Sequence, residues 1–130
     1  MFRFDKPTRI LAMEIFKHKG RICVVIRMKG IENISREFWE GGVISDSDYC
    51  NGYVQTLDKN YGKDYEEFEN KIKTDMLTYS GDLSGFFDGI WFLGFDSAHV
   101  WNEKNPKTKT FEYVKEKTKK LCEEMVKKGI

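Results

Sequence analysis

Apolar and polar positions along the first quarter of the chain predict paired strands. Arg9-Ile10-Leu11-Ala12-Met13-Glu14-Ile15-Phe16 reads as a strand and Lys17-His18-Lys19-Gly20 as a turn. Arg21-Ile22-Cys23-Val24-Val25-Ile26-Arg27-Met28 reads as a second strand, rich in β-branched residues, so the two predict a hairpin. Lys29 to Glu40 is less regular, with a short strand or helical turn around Phe38-Trp39. Gly41-Gly42 breaks the pattern, and Gly42 to Ser45 is a candidate short strand. Tyr49 to Thr56 has period-2 character and suits a strand, followed by a turn at Asn60-Tyr61-Gly62. Asp64 to Lys71 reads as a short acidic helical stretch, the second half of Lys71 to Ser80 as a strand, and Gly81 to Gly89 as a loop. Ile90-Trp91-Phe92-Leu93-Gly94-Phe95 is the most apolar run and predicts a central strand, with Gly94 marking a bulge or a close backbone contact. Asn102 to Lys109, with Asn105-Pro106, predicts a loop. From Thr110 to Lys127 the spacing changes to three and four, placing Phe111, Val114, Thr118, Leu121 and Met125 on one helical face, with Gly129 as the stop. Strands followed by a terminal helix indicate an α+β fold: an antiparallel sheet starting with an N-terminal hairpin, packed against a C-terminal amphipathic helix.

Length and composition add bounds to this picture. The chain has 130 residues, which predicts a single domain over 1–130. With 40 % hydrophobic and 15 % aromatic residues, a core can form without a metal or a disulfide, and no cofactor is expected. The cysteines, Cys23, Cys50 and Cys122, are odd in number and widely spaced, which argues against a zinc or redox motif and for a reducing compartment. Cys23 reads as a core thiol. The N-terminus lacks the apolar region of a signal peptide, and no apolar run approaches the roughly 20 residues of a membrane span. A soluble cytoplasmic protein without membrane contact is the expectation.

Charge is uneven although its net value is +1. Residues 1–30 carry eight basic and two acidic side chains, and residues 31–76 carry five basic and eleven acidic ones. Residues 77–102 have three acidic side chains and no basic one; residues 103–130 have nine basic and five acidic. This is not the dominant basic field of a generic nucleic-acid binder. Ordinary surface variation accounts for it, and a basic partner surface facing the acidic middle is the alternative.

Candidate chemistry concentrates after the apolar run. Asp96 and His99 sit three residues apart at its exit, where a carboxylate can orient an imidazole that serves as base or metal ligand. A metal site needs three or four ligands, and the only other histidine is His18, in the hairpin turn. A structural role, with Asp96 bracing the turn and His99 bonded internally, is the favoured reading of the pair. Ser80 and Ser97 lack a nucleophile-elbow context, and Gly81 to Gly85 lacks the lysine of a phosphate loop. The aromatics Trp39, Tyr53, Tyr61, Tyr65, Tyr79, Trp91 and Trp101 can anchor an interface, although most sit in predicted strands and read as core; Tyr61, Tyr79 and Trp101 join Asp96 and His99 as candidate binding residues. Trp101, expected in a polar loop, is the candidate exposed anchor.

Six segments fall in one order: Cys23 to Arg27, Gly52-Tyr53-Val54, Tyr61 to Tyr65, Leu77-Thr78-Tyr79-Ser80-Gly81, Trp91 to His99, and Tyr113-Val114. From about Glu14 to Met125 the chain thereby resembles a family of small phage- and prophage-encoded proteins with a Gly-Phe-Asp-x-Ala-His core and no established enzymatic activity. Where the resembled pattern has His-Gly-Gly, this chain has Thr74-Asp75-Met76. Where it has His-Pro, this chain has Lys59-Asn60, and where it has Gly-Asp after Ala-His, this chain has Trp101-Asn102. The resemblance implies a phage setting, and the missing polar positions imply binding rather than catalysis. The expected role is inhibition of a host defence component, as a CRISPR-effector inhibitor or a signalling-nucleotide sponge. The expected partner is accordingly a host protein, such as a defence effector, or a small nucleotide ligand, with a homo-oligomer also open. The alternatives are a metal-assisted hydrolase using Asp96 and His99, and a virion structural or assembly protein.

Overall fold

Strand β1 (Ile10–His18) turns through Lys19 and Gly20 into β2 (Arg21–Met28). Both turn residues have positive φ, 51° and 76°, the left-handed pair that a tight two-residue hairpin needs to match strand twist. The hairpin is as expected, with β1 running two residues further into the turn signal. This computed structural model describes residues 10–29, 48–83 and 86–130. The elements expected around Phe38-Trp39 and at Gly42 to Ser45 lie outside those residues.

Strands β3 (Tyr49–Gln55), β4 (Tyr79–Gly81) and β5 (Phe92–Asp96) complete an antiparallel sheet in the order β1-β2-β3-β5-β4. A short helix α1 (Val100–Lys104) follows β5, and the long helix α2 (Phe111–Lys128) packs on one face against β2 and β3. The architecture is the expected α+β arrangement. No helix among the described residues is long and apolar enough to cross a membrane.

Alternation along the strands divides the core in two. Towards α2 lie Cys23, Val25, Val54, Leu93 and Phe95, packed against Val114, Leu121, Cys122 and Met125. On the opposite face Val24, Ile26, Tyr53 and Phe92 pack with Leu83. Because both faces of β2 are covered, it reads as a continuous apolar run rather than an alternating one. Each fully buried aliphatic side chain contributes about 1.5–3 kcal/mol.

Local departures from expectation have identifiable causes. The central strand is β3, while the apolar run forms β5, whose outer neighbour β4 is only three residues long. Burial of Phe92 comes instead from Phe87, Ile90 and Leu83 layered against it. Gly94 makes no bulge, since the β3–β5 register is unbroken. It makes the close contact: a Cβ there would lie 2.5 Å from the Tyr53 ring and 2.8 Å from the Gly52 carbonyl oxygen. Asp64 to Lys71 holds only a 3-10 turn at Tyr65–Glu67, started by the Asp64 side chain accepting from the Glu66 amide at 3.2 Å.

Candidate functional site

Beyond Asp96 the β3–β5 pairing is prolonged by a side chain. Ser97 Oγ accepts from the Cys50 amide at 2.9 Å and donates to the Cys50 carbonyl at 2.7 Å. Ser97 is buried and fully engaged, so its role is to hold the strand exit. Ser80 is likewise occupied, accepting from the Tyr65 amide at 3.0 Å.

That hold positions the polar pair. His99 Nε2 lies 2.6 Å from Asp96 Oδ1, which also accepts from Thr78 Oγ1 at 3.3 Å. The hydrogen bond to Asp96 raises the His99 pKa above its ordinary value, burial opposes the rise, and the charges of Asp96 and Asp75 add to it. Backbone placement is equally constrained. The His99 amide donates to Asn102 Oδ1 at 3.2 Å, Asn102 Nδ2 donates to Thr108 Oγ1 at 2.8 Å, and Thr108 Oγ1 donates to the Asn105 carbonyl at 2.6 Å. This buried network makes Val100–Lys104 a helix and Pro106–Lys109 a 3-10 turn, where the sequence suggested a loop. Trp101 therefore sits on α1 rather than in a loop, and it is 57 % exposed.

Asp96, His99 and Trp101 line one cavity of about 190 Å³ together with Asp75, Met76 and Lys117. Met76 is 60 % exposed, so two large apolar side chains lie beside the polar pair. Lys117 Nζ stands 3.7 Å from Asp75 Oδ2 and 5.9 Å from the Tyr113 ring centroid. A larger cavity, about 330 Å³, is lined by Arg27, Asp48, Cys50 and Phe111 and holds none of the five candidate binding residues. In its wall Arg27 Nη2 lies 3.1 Å from Asp48 Oδ2.

The remaining candidates lie elsewhere. Tyr61 packs on Trp91 at a centroid distance of 5.1 Å, at the entry of β5. That is about 17 Å of extended chain from Asp96. Tyr79 makes an edge contact with Tyr53, and its hydroxyl accepts from the Leu83 amide at 3.2 Å. Both tyrosines brace the sheet, away from the pocket.

Asp75, Met76 and Lys117 escaped sequence reasoning. Asp75 and Met76 are remote in sequence from Trp101 and Asn102, and only the fold brings the four to one cavity. Asn60 is buried outside this cavity and donates to the Ile130 carbonyl at 2.9 Å. Among the described residues, no group of three or more His, Cys, Asp or Glu side chains could hold a metal ion. Comparison of the chain with protein-family models, curated proteins and solved structures gave no significant match.

Proposed function

We propose that this chain is a non-catalytic binding protein of phage or prophage origin, working in the host cytoplasm by occupying a host defence component. The pocket at the exit of β5 is its recognition site. One observation carries this reading: exposed Trp101 and Met76 flank a polar pair, Asp96 and His99, that is already oriented by internal hydrogen bonds. Such a patch has the composition of an interface anchor, with an aromatic side chain beside fixed polar groups. The cavity is also wide enough for part of a nucleotide base, which Trp101 would stack, so a signalling nucleotide is the second candidate ligand. The test is affinity purification from a lysate of a bacterial host, with mass analysis of bound protein and extracted nucleotide. A stoichiometric partner or nucleotide supports the proposal; recovery of neither would sink it.

A hydrolytic reading has one point in its favour. A carboxylate holding an imidazole at 2.6 Å is the arrangement of an oriented general base. Calorimetric titration with divalent ions, in wild type and His99→Ala, examines it. Equal binding and activity in the two proteins would remove that reading.

A further inference from the structure

Among the described residues, β2 pairs with one side of β1 and no strand lies on its other side. This edge strand is nine residues long and contains no proline, and its one irregularity is a bulge between Ile10 and Ala12, at its start. From Ala12 to His18 it runs in unbroken register, so its outward N–H and C=O groups can template a further strand. Charged side chains that could block such pairing are drawn back onto α2. Glu14 pairs with Lys115 at 2.5 Å, and His18 with Glu123 at 2.7 Å. On the opposite face of β1 Ile15 is 54 % exposed, and Leu11, at the bulge, is 43 % exposed.

We propose that β1 is a dimerisation edge, pairing antiparallel with β1 of a second copy about a two-fold axis at Phe16. The side-chain pattern of the strand is complementary to itself in that register. A two-fold axis normal to the sheet keeps every side chain on its own face, so it must pass through a residue. An axis through Glu14 would set two carboxylates opposite each other. One through Ile15 would match neither Glu14 nor His18 with an opposite group. An axis through Phe16 sets Glu14 opposite the second copy's His18, twice, on either side of a Phe16–Phe16 pair. Lys115, Glu14, the second copy's His18 and its Glu123 then stand in line as alternating bases and acids. On the other face Ile15 meets the second copy's Lys17, whose aliphatic stem covers it. Aromatic and opposite-charge pairs are the cross-strand pairs that stabilise a sheet.

Closure points the same way. The sheet's other edge, β4, is only three residues long and cannot match the length of β1. A contact of β1 on β4 would also repeat head to tail without closing, whereas β1 on β1 closes at two copies. The dimer then buries the long edge and leaves the short one. The pocket at the exit of β5 is separated from this edge by β2 and β3, so the inference stands independently of the binding role proposed above.

The experiment is sedimentation velocity of the full chain over a concentration series reaching roughly 100 μM, for wild type, Ile15→Lys, Ile15→Glu and Trp101→Ala. Each variant is first confirmed folded by circular dichroism. The expected wild-type species is a dimer. Ile15→Lys sets like charges against Lys17 of the second copy and should weaken the dimer by about tenfold or more. Ile15→Glu meets that lysine as an opposite charge and should retain the dimer, as should Trp101→Ala. A wild-type monomer throughout the series would overturn the proposal and leave the edge to a strand of another protein. Growth beyond a dimer, or equal loss in the two Ile15 variants, would overturn it as well. Amide hydrogen exchange of the wild type gives a check free of substitutions. Protection along β1 should rise with concentration, and unchanged protection would contradict the pairing.

Discussion

Hydrogen bonding by Asp96 outweighs the burial that disfavours charge on His99, so the imidazolium persists above the ordinary histidine range. A raised folded value means that the folded protein holds this proton more tightly than the unfolded chain does. Stabilisation by the charged pair is therefore complete below about pH 6.5 and is lost as pH rises through the folded value. The His99 ring resonances should titrate above the ordinary value in wild type and fall back in Asp96→Asn. The gap in urea midpoint between those proteins should shrink as pH rises. Glu124 has the opposite sign. Burial raises its pKa, but hydrogen bonds from the Lys128 and Thr74 side chains and from the Lys73 and Thr74 amides bring it to about 2. Its contribution is present above the ordinary carboxylate value and is lost as pH falls through about 2. Glu124→Gln should cost about 1–3 kcal/mol by chemical denaturation, because it weakens charge-assisted bonds at 2.7–2.8 Å that tie residues 73–74 to α2. The Asp96–His99 pair was legible because its members stand three residues apart at a strand exit. Glu124 was not, because its loop partners are distant in sequence and an acidic residue near a helix C-terminus carries no local mark of them.

Helix α2 sits close to the sheet because β3 has a glycine beneath it. A Cβ on Gly52 would lie 2.8 Å from the Phe95 ring and would also strike Thr118. Thr118 cannot readily move, since its hydroxyl donates to the Val114 carbonyl at 2.7 Å within the buried face of α2. Gly52→Ala should therefore destabilise by about 1–3 kcal/mol through overpacking, read as a lower denaturant midpoint with unchanged slope. At the start of the helix Thr110 Oγ1 accepts from the Tyr113 amide at 3.2 Å, so Thr110→Ala should cost about 1 kcal/mol in the same measurement. The period of the apolar face made α2 legible almost to the residue, and the β-branched run did the same for β2. Helix α1 was not legible, because Asn102 and Thr108 build it through side-chain hydrogen bonds that leave no hydrophobic period. The place of β5 was misjudged for a related reason. An apolar run reports that a strand is covered, not which neighbours cover it.

Across the whole molecule, the sheet separates two ends with different contents. At the exit of β5 the chain gathers Asp96, His99, Trp101, Asp75 and Met76 around one cavity; at its entry Tyr61 and Trp91 pack against each other. Residue types marked Asp96, His99 and Trp101 in the sequence, but their convergence with Asp75 and Met76 depends on how the loop before β4 returns to the sheet. The acidic middle of the chain contributes Asp75 to this end, and the C-terminal basic segment contributes Lys117. The charge asymmetry thus meets at the pocket as a matched pair. The proposed function requires that a partner bind at this pocket. The most direct measurement is the affinity of the partner recovered from host lysate for wild type, Trp101→Ala, Met76→Asp and Tyr61→Ala, by calorimetry at one salt concentration. The expected result is a loss of about 30-fold or more for the Trp101 and Met76 variants, the size of an interface anchor, and wild-type affinity for Tyr61→Ala. Equal affinity for wild type and the two pocket variants, or a loss confined to Tyr61→Ala, would contradict it.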